Sequence, residues 1–218
     1  MATTPFSVTV HPYPSKVKHA CAYELGSSPA RNALIFVGGL GDGPHTVPYI
    51  RSIAAKIAAD SDLSYSVFEI RIRSSFCGFG WNNLAKDVQD ISSLVKYLRS
   101  IGREKVVLMG HSTGSQVCAY YCPCHTISYP VQDCIEYTDY EKHQNEPIDA
   151  FILQGSVSDR EAFAEDLGKD EADRMVRLAT DMINDGRKDD AVPKSQLPRP
   201  FFPWPVTAYR IHSLAGVG

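Results

Sequence analysis

The sequence predicts an α/β fold, a mostly parallel sheet with helices on both faces. Three observations carry this. Short apolar runs recur at 33–37, 105–109 and 150–153, each too brief for a helix and each ending in Gly or polar residues. Longer segments between them carry apolar residues at helical spacing. The resulting strand-helix-strand-helix order is the pattern of right-handed crossovers between parallel strands.

The elements follow in order. Residues 6–10 and 19–25 read as two short early strands joined by a Pro-containing turn. Ala33 to Val37 forms a strand buried on both faces and stopped by Gly38-Gly39. Residues 47–59 form a helix with Ile50, Ile53, Ala54 and Ile57 on one stripe, and 64–72 form the next strand. Asn82 and Asn83 can cap a long helix whose stripe is Leu84, Val88, Ile91, Leu94, Val95, Leu98 and Ile101, closed by Gly102. A strand at 105–109 and a helix at 113–121 come next, then a strand at 150–153. Ser158 and Glu161 have capping-box spacing for a helix from Arg160. A further helix presents Ala172, Met175, Val176, Ala179, Met182 and Ile183 on one face and ends at Gly186. The Pro- and aromatic-rich segment 187–210 is expected to be irregular, as a lid or a strap across the core. The whole reads as one domain over 1–218, with its core at about 30–158 and a helical, lid-like part at about 159–212.

Composition narrows the function classes. The chain has 218 residues, 44% hydrophobic and 22% charged, with a formal net charge of −3. No basic run suggests nucleic acid. No stretch nears the roughly 18 apolar residues that span a bilayer, and the first residues lack a secretory pattern. A cytoplasmic location is therefore the expectation. Of six cysteines, Cys21, Cys77 and Cys118 read as small hydrophobes. Cys122-Pro123-Cys124-His125, with Cys134 nearby, has one residue between the cysteines, not the two to four of common zinc sites. An ordinary loop is expected there, with no metal, no cofactor and no disulfide.

The chemistry concentrates at Gly110-His111-Ser112-Thr113-Gly114. A buried strand, then G-x-S-x-G, then a helix is the setting in which this motif is a nucleophile elbow of the α/β-hydrolase type. The tight turn holds Ser112 above the sheet edge, and the glycines let strand and helix pass without Cβ clashes. At average residue usage, fewer than about 0.1 such matches would arise by chance in a chain this long. The Thr113 N–H then points to where an oxyanion would form. Gly38-Gly39-Leu40-Gly41-Asp42-Gly43 follows the 33–37 strand, where this fold places the second oxyanion donor, assigned to Leu40. A phosphate loop is the competing reading, but G-x-G-x-x-G and a Walker lysine are both absent. His111 points to the other side of the turn and reads as a structural neighbour of the serine.

The stretches GGLGDGPHTVPYI, SSFCGFGWNNLAKDVQDISSLVKYLRS, KVVLMGHSTGSQ and ILQGSVSDREA resemble a fungal and plant α/β-hydrolase family first catalogued as of unknown function. Its best understood branch is similar to the fusarinine C esterase of siderophore metabolism. The resemblance covers roughly residues 30–215 and implies an ester hydrolase whose serine corresponds to Ser112. It implies a small ester or lactone substrate, with a hydroxamate siderophore ester as one candidate. The chain departs from the family at Val117, where relatives usually carry Asp, and in the 122–147 loop. Family members continue with an acidic loop, two more strands, an acid and a histidine. Against that pattern the fold here lacks the last strands, and the acid and histidine are expected beyond Gly218. Among the residues at hand, Asp159 as acid and His212 as base form the weaker alternative, while His125 and His143 lie in the peculiar loop. The second function class is a hydrolase-fold protein that keeps the elbow but binds without cleaving. A sheet ending at the 150–153 strand is also expected to expose an edge that invites self-association.

Overall fold

The computed structural model describes residues 4–26, 30–115, 145–156, 159–198 and 204–216. Six strands, β1 (Thr9–Pro12), β2 (Cys21–Leu25), β3 (Asn32–Val37), β4 (Tyr65–Ile70), β5 (Val106–His111) and β6 (Ala150–Gln154), form one sheet in the order β1-β2-β4-β3-β5-β6. β1 and β2 run antiparallel at one side, and β4, β3, β5 and β6 are mutually parallel. β1 is shifted from the expected 6–10, whereas β2 falls within the expected 19–25 and starts two residues later. Their bounds follow from pairing, Thr9 opposite Glu24 and Pro12 opposite Cys21, which local composition does not encode.

Two helices cover the two faces, α1 (Tyr49–Ala58) and α2 (Leu84–Ser100). Alternation along β3 decides which residue meets which helix. Ala33, Ile35 and Val37, with Phe68 and Leu108, pack against Val88, Ile91, Leu94, Val95 and Leu98 of α2. Leu34 and Phe36, with Val67 and Met109, meet Val47, Ile50 and Ala54. A strand buried on both faces must be apolar at every position, which accounts for the unbroken 33–37 run. Asn83 caps α2, its side chain accepting from Lys86 N–H at 3.0 Å. Asn83→Ala is expected to cost about 1 kcal/mol in urea unfolding. Gly102, at φ +87°, turns the chain out of the helix.

Three further helices, α3 (Asp159–Leu167), α4 (Lys169–Asn184) and α5 (Ala208–Ala215), build a separate apolar cluster. Phe163, Met175, Ala179, Met182 and Ile211 are among its buried members, joined by Phe79 from a 3-10 turn at Phe76–Trp81. The stripe anticipated on α4 is the buried one, with Ala172, Met175, Ala179 and Met182 inside. α5 departs from the irregular structure expected through residue 210. Thr207 caps it by accepting from Arg210 N–H at 3.2 Å. The preceding prolines hide that cap from a composition reading.

Helical structure begins at Thr113 after the Ser112 turn, and the remainder of the expected 113–121 helix lies outside the described residues. Cys118, the Cys122–His125 loop, Cys134, His143 and Ser158 lie outside them too. No described helix is long and apolar enough to cross a membrane.

Candidate active site

β5 carries the chain to His111, and Ser112 then adopts φ +52°, a left-handed conformation that L-residues other than Gly rarely hold. The flanking glycines are required by space. A Cβ on Gly110 would lie 2.5 Å from Gly114 O, and a Cβ on Gly114 would lie 2.4 Å from both Gly38 O and Val37 O. Ser112 N–H donates to Gln154 O at 2.9 Å, which ties the turn to the end of β6. The Ser115 hydroxyl donates to Gly110 O at 3.0 Å and closes the turn from the helix side.

The loop after β3 lies against this turn. A Cβ on Gly39 would sit 3.0 Å from Ser112 Cβ, so the backbone beside Leu40 approaches the serine directly. Leu40 N–H has no acceptor among the described residues. Thr113, buried in the first helical turn, has no preceding intrahelical acceptor. These are the two donors that the sequence singled out.

Asp42 holds the loop in shape. One carboxylate oxygen accepts Gly39 N–H at 2.9 Å, the other accepts the Thr46 hydroxyl at 2.8 Å, and Asp42 N–H returns to Gly39 O at 3.1 Å. Buried Glu69 on β4 pins the far end, accepting His45 N–H at 2.9 Å and its ring Nδ1–H at 2.6 Å.

Two aromatic rings clasp the loop from its flanks. Trp204 lies against Gly41, where a Cβ would meet the indole at 3.0 Å, and Phe76 lies against Gly43, where a Cβ would fall 2.2 Å from the ring. Phe76 itself sits at φ +58° and donates its N–H to Asp42 O at 2.9 Å. Leu40, Phe76 and Trp204 remain 43%, 40% and 37% exposed. They form an exposed apolar rim around the loop. Asp42, Phe76 and Trp204 were not picked out from the sequence. The Asp within the Gly-rich loop was a usable signal for the first, whereas the rings meet the loop only through tertiary contacts.

Among the described residues, none of the remaining candidates shares a hydrogen bond with the Ser112 hydroxyl. His111 bonds through Nδ1 to the Gln154 side-chain oxygen, which also accepts from Tyr49 Oη at 2.9 Å. This fits the expected structural role. Asp159 opens α3, and its charge bears on Arg210 of α5. His212 lies on α5 with its ring beside Gly216, and among the described residues it makes no hydrogen bond to Asp159 or Ser112. No group of three His, Cys, Asp or Glu that could hold a metal occurs among the described residues.

A small cavity of about 20 Å³ lies behind the loop and the turn, lined by Gly38, Gly39, Thr113, Gly114, Ser74, Asp87 and Arg210 among others. That volume admits about one water molecule, not an ester. Burial pushes the Asp87 carboxyl up to about 6, opposed by two hydrogen bonds from Ser74 and by the Arg210 charge.

This sheet, with its helices and its strand–serine–helix turn, is an α/β-hydrolase fold. Solved structures agree. The siderophore hydrolase EstB from Aspergillus fumigatus superposes with a TM-score of 0.70 at 25% identity, covering 98% of this chain and 65% of that one. An α/β-hydrolase fold protein of unknown function gives 0.63 at 19%, covering 100% and 64%. The chain belongs to the family described as Protein of unknown function (DUF1749), which matches residues 1–218. Its curated relatives include the UPF0613 protein PB24D3.06c of Schizosaccharomyces pombe, 32% identical over 88% of this chain and 57% of that protein. The fusarinine C esterase sidJ of Aspergillus fumigatus is 35% identical over 63% of this chain and 41% of its own length. The esterase AN6793 of Emericella nidulans is 28% identical over 81% and 49%. The chain thus spans about half the length of the curated relatives it matches.

Proposed function

We propose that this chain carries the nucleophile and oxyanion hole of a serine ester hydrolase. The observation that carries the reading is Ser112 at φ +52° with the Gly39 backbone pressed against it. In this reading Ser112 Oγ attacks the ester carbonyl carbon as its proton passes to a general base, and the carbonyl π electrons move onto oxygen. The N–H groups of Leu40 and Thr113 receive that oxyanion. Its collapse breaks the bond to the alkoxy oxygen, which takes the proton from the base and leaves as the alcohol. Water, deprotonated by the same base, then attacks the acyl-serine, and the acid departs as Ser112 Oγ regains its proton.

The substrate is a small-molecule ester or lactone. The esterase names of sidJ and AN6793 and the siderophore hydrolase EstB support this class, with a hydroxamate siderophore ester as the specific candidate. The apolar rim of Leu40, Phe76 and Trp204 supports docking of an uncharged acyl or alcohol group.

A fluorophosphonate probe tests the nucleophile independently of the natural substrate. Intact-protein mass spectrometry should show one adduct on the protein and none on Ser112→Ala. Equal labelling of both would place the nucleophile elsewhere. No labelling of either would favour the second class, a hydrolase-fold protein that binds without cleaving.

A further inference from the structure

The wall of the small cavity behind the oxyanion loop contains a buried carboxylate and a buried guanidinium that the proposed chemistry does not use. Asp87 on α2 is 0% exposed, and Arg210 on α5 is 2% exposed. Nε and Nη1 of Arg210 have no hydrogen-bond partner among the described residues. The guanidinium stacks on the Phe79 ring at 4.4 Å. Burying either charge is costly unless it acts on a partner, so the pair calls for an explanation beyond packing.

A continuous set of contacts leads from this pair to the oxyanion loop. Asp87 accepts Ser74 N–H at 3.0 Å and the Ser74 hydroxyl at 2.5 Å. Two residues on, Phe76 donates to Asp42 O, and its ring forms the seat of Gly43. Asp42 in turn holds Gly39 N–H, next to the Leu40 donor.

We propose that Asp87 and Arg210 are positioning residues for the oxyanion loop: Asp87 sets the loop through Ser74 and Phe76, and Arg210 keeps Asp87 charged. This rests on the reading of Leu40 as an oxyanion donor. Bonds from Ser74 to a carboxylate are charge-assisted and stronger than bonds to a neutral acid. Protonation of Asp87 therefore loosens the 74–76 segment and the seat it gives the loop.

Other charges face this pair from each neighbouring element. Asp90 on α2 lies beside Asp87 and is itself held by Arg73, whose N–H donates at 2.9 Å and whose guanidinium lies at 3.0 Å. Asp42 lines the same cavity from the loop, and Asp159 and Tyr209 act on Arg210. Burial raises Asp90 as well, so its titration is separated from that of Asp87 by substitution.

Trp204 on Gly41 is a reporter that needs no catalysis. In a Trp81→Phe background it is the remaining tryptophan of two. Its emission should change with a midpoint near pH 6, where Asp87 titrates. Asp87→Asn should abolish the transition, and Arg210→Met should move it upward by about one unit, because the cation no longer favours the carboxylate. In steady-state hydrolysis, Asp87→Asn should lower kcat about tenfold with KM nearly unchanged, as misplacement of a transition-state donor requires. Ser74→Ala, which removes one donor and no charge, guards against a folding artefact and should raise the midpoint by less. A transition that survives Asp87→Asn, or a midpoint unmoved by Arg210→Met, would overturn the proposal. So would a Trp204 response that leaves kcat untouched in Asp87→Asn. The fluorescence result stands whether or not Ser112 proves to be the nucleophile, so the two readings fail separately.

Discussion

Ser112→Ala is expected to lower hydrolysis of a p-nitrophenyl ester by about 10³-fold or more, with secondary structure and unfolding midpoint nearly unchanged. Removal of a nucleophile eliminates the covalent route, and what remains is binding and oxyanion stabilisation over the reaction in water. The side chain is half-buried, so its loss opens little internal space. Alanine at φ +52° is as strained as serine, which keeps the folding comparison fair. A variant that retained more than a tenth of wild-type turnover would show that another group performs the attack. Measurement requires a protein preparation that turns over the ester, and the same preparation serves for probe labelling.

Gly114→Ala is expected to be among the most disruptive single-methyl changes near the site. The added Cβ would fall 2.4 Å from two carbonyl oxygens, Val37 O at the end of β3 and Gly38 O at the start of the 38–43 loop. Neither atom can rotate away, because both are backbone. Relief requires the helix after Ser112 to move off the sheet or the oxyanion loop to shift outward. The expected loss is about 3 kcal/mol in denaturant unfolding, together with loss of ester turnover in the fraction that remains folded. Gly155→Ala provides the contrast. It has nothing within 4 Å of its added Cβ and only a positive φ of 58°, so it should cost about 1 kcal/mol. If Gly114→Ala were no worse than Gly155→Ala, the close passage of helix and loop would not be the reason for the glycine.

The two substitutions probe different requirements of one turn. In the proposed mechanism Ser112 supplies a reacting atom, whereas Gly110 and Gly114 supply the absence of atoms, and only the latter is felt by the fold. The apolar rim adds a third requirement. Leu40, Phe76 and Trp204 come from the loop after β3, the 3-10 turn and the segment before α5, and tertiary contacts of the two rings with Gly43 and Gly41 bring them together.

The sequence by itself determined the parts of this protein whose signals are local. Ala33 to Val37 is apolar at every position because both faces of β3 are covered, and that run was legible as a central strand. The Asn83 cap, the α2 stripe from Val88 to Leu98 and the Gly102 stop were legible for the same reason, since each is written within a few residues of where it acts, although Ile101, expected on the stripe, lies past the helix and is exposed. Gly-His-Ser-Thr-Gly after a strand marked Ser112, because the turn demands glycines at fixed offsets. Tertiary structure alone decided the rest. Pairing with β2 set the bounds of β1, and a cap at Thr207 started α5 within a Pro-rich segment. Phe76 and Trp204 reach Gly43 and Gly41 of the 38–43 loop from 33 and 163 residues away along the chain. Asp87 and Arg210 look like ordinary helix-surface charges in the sequence, and only the packing of α2 and α5 around Phe79 and the loop buries them together. Hydrophobic periodicity records which face of an element is covered, but not which distant side chain covers it; that is settled by the packing of the complete chain.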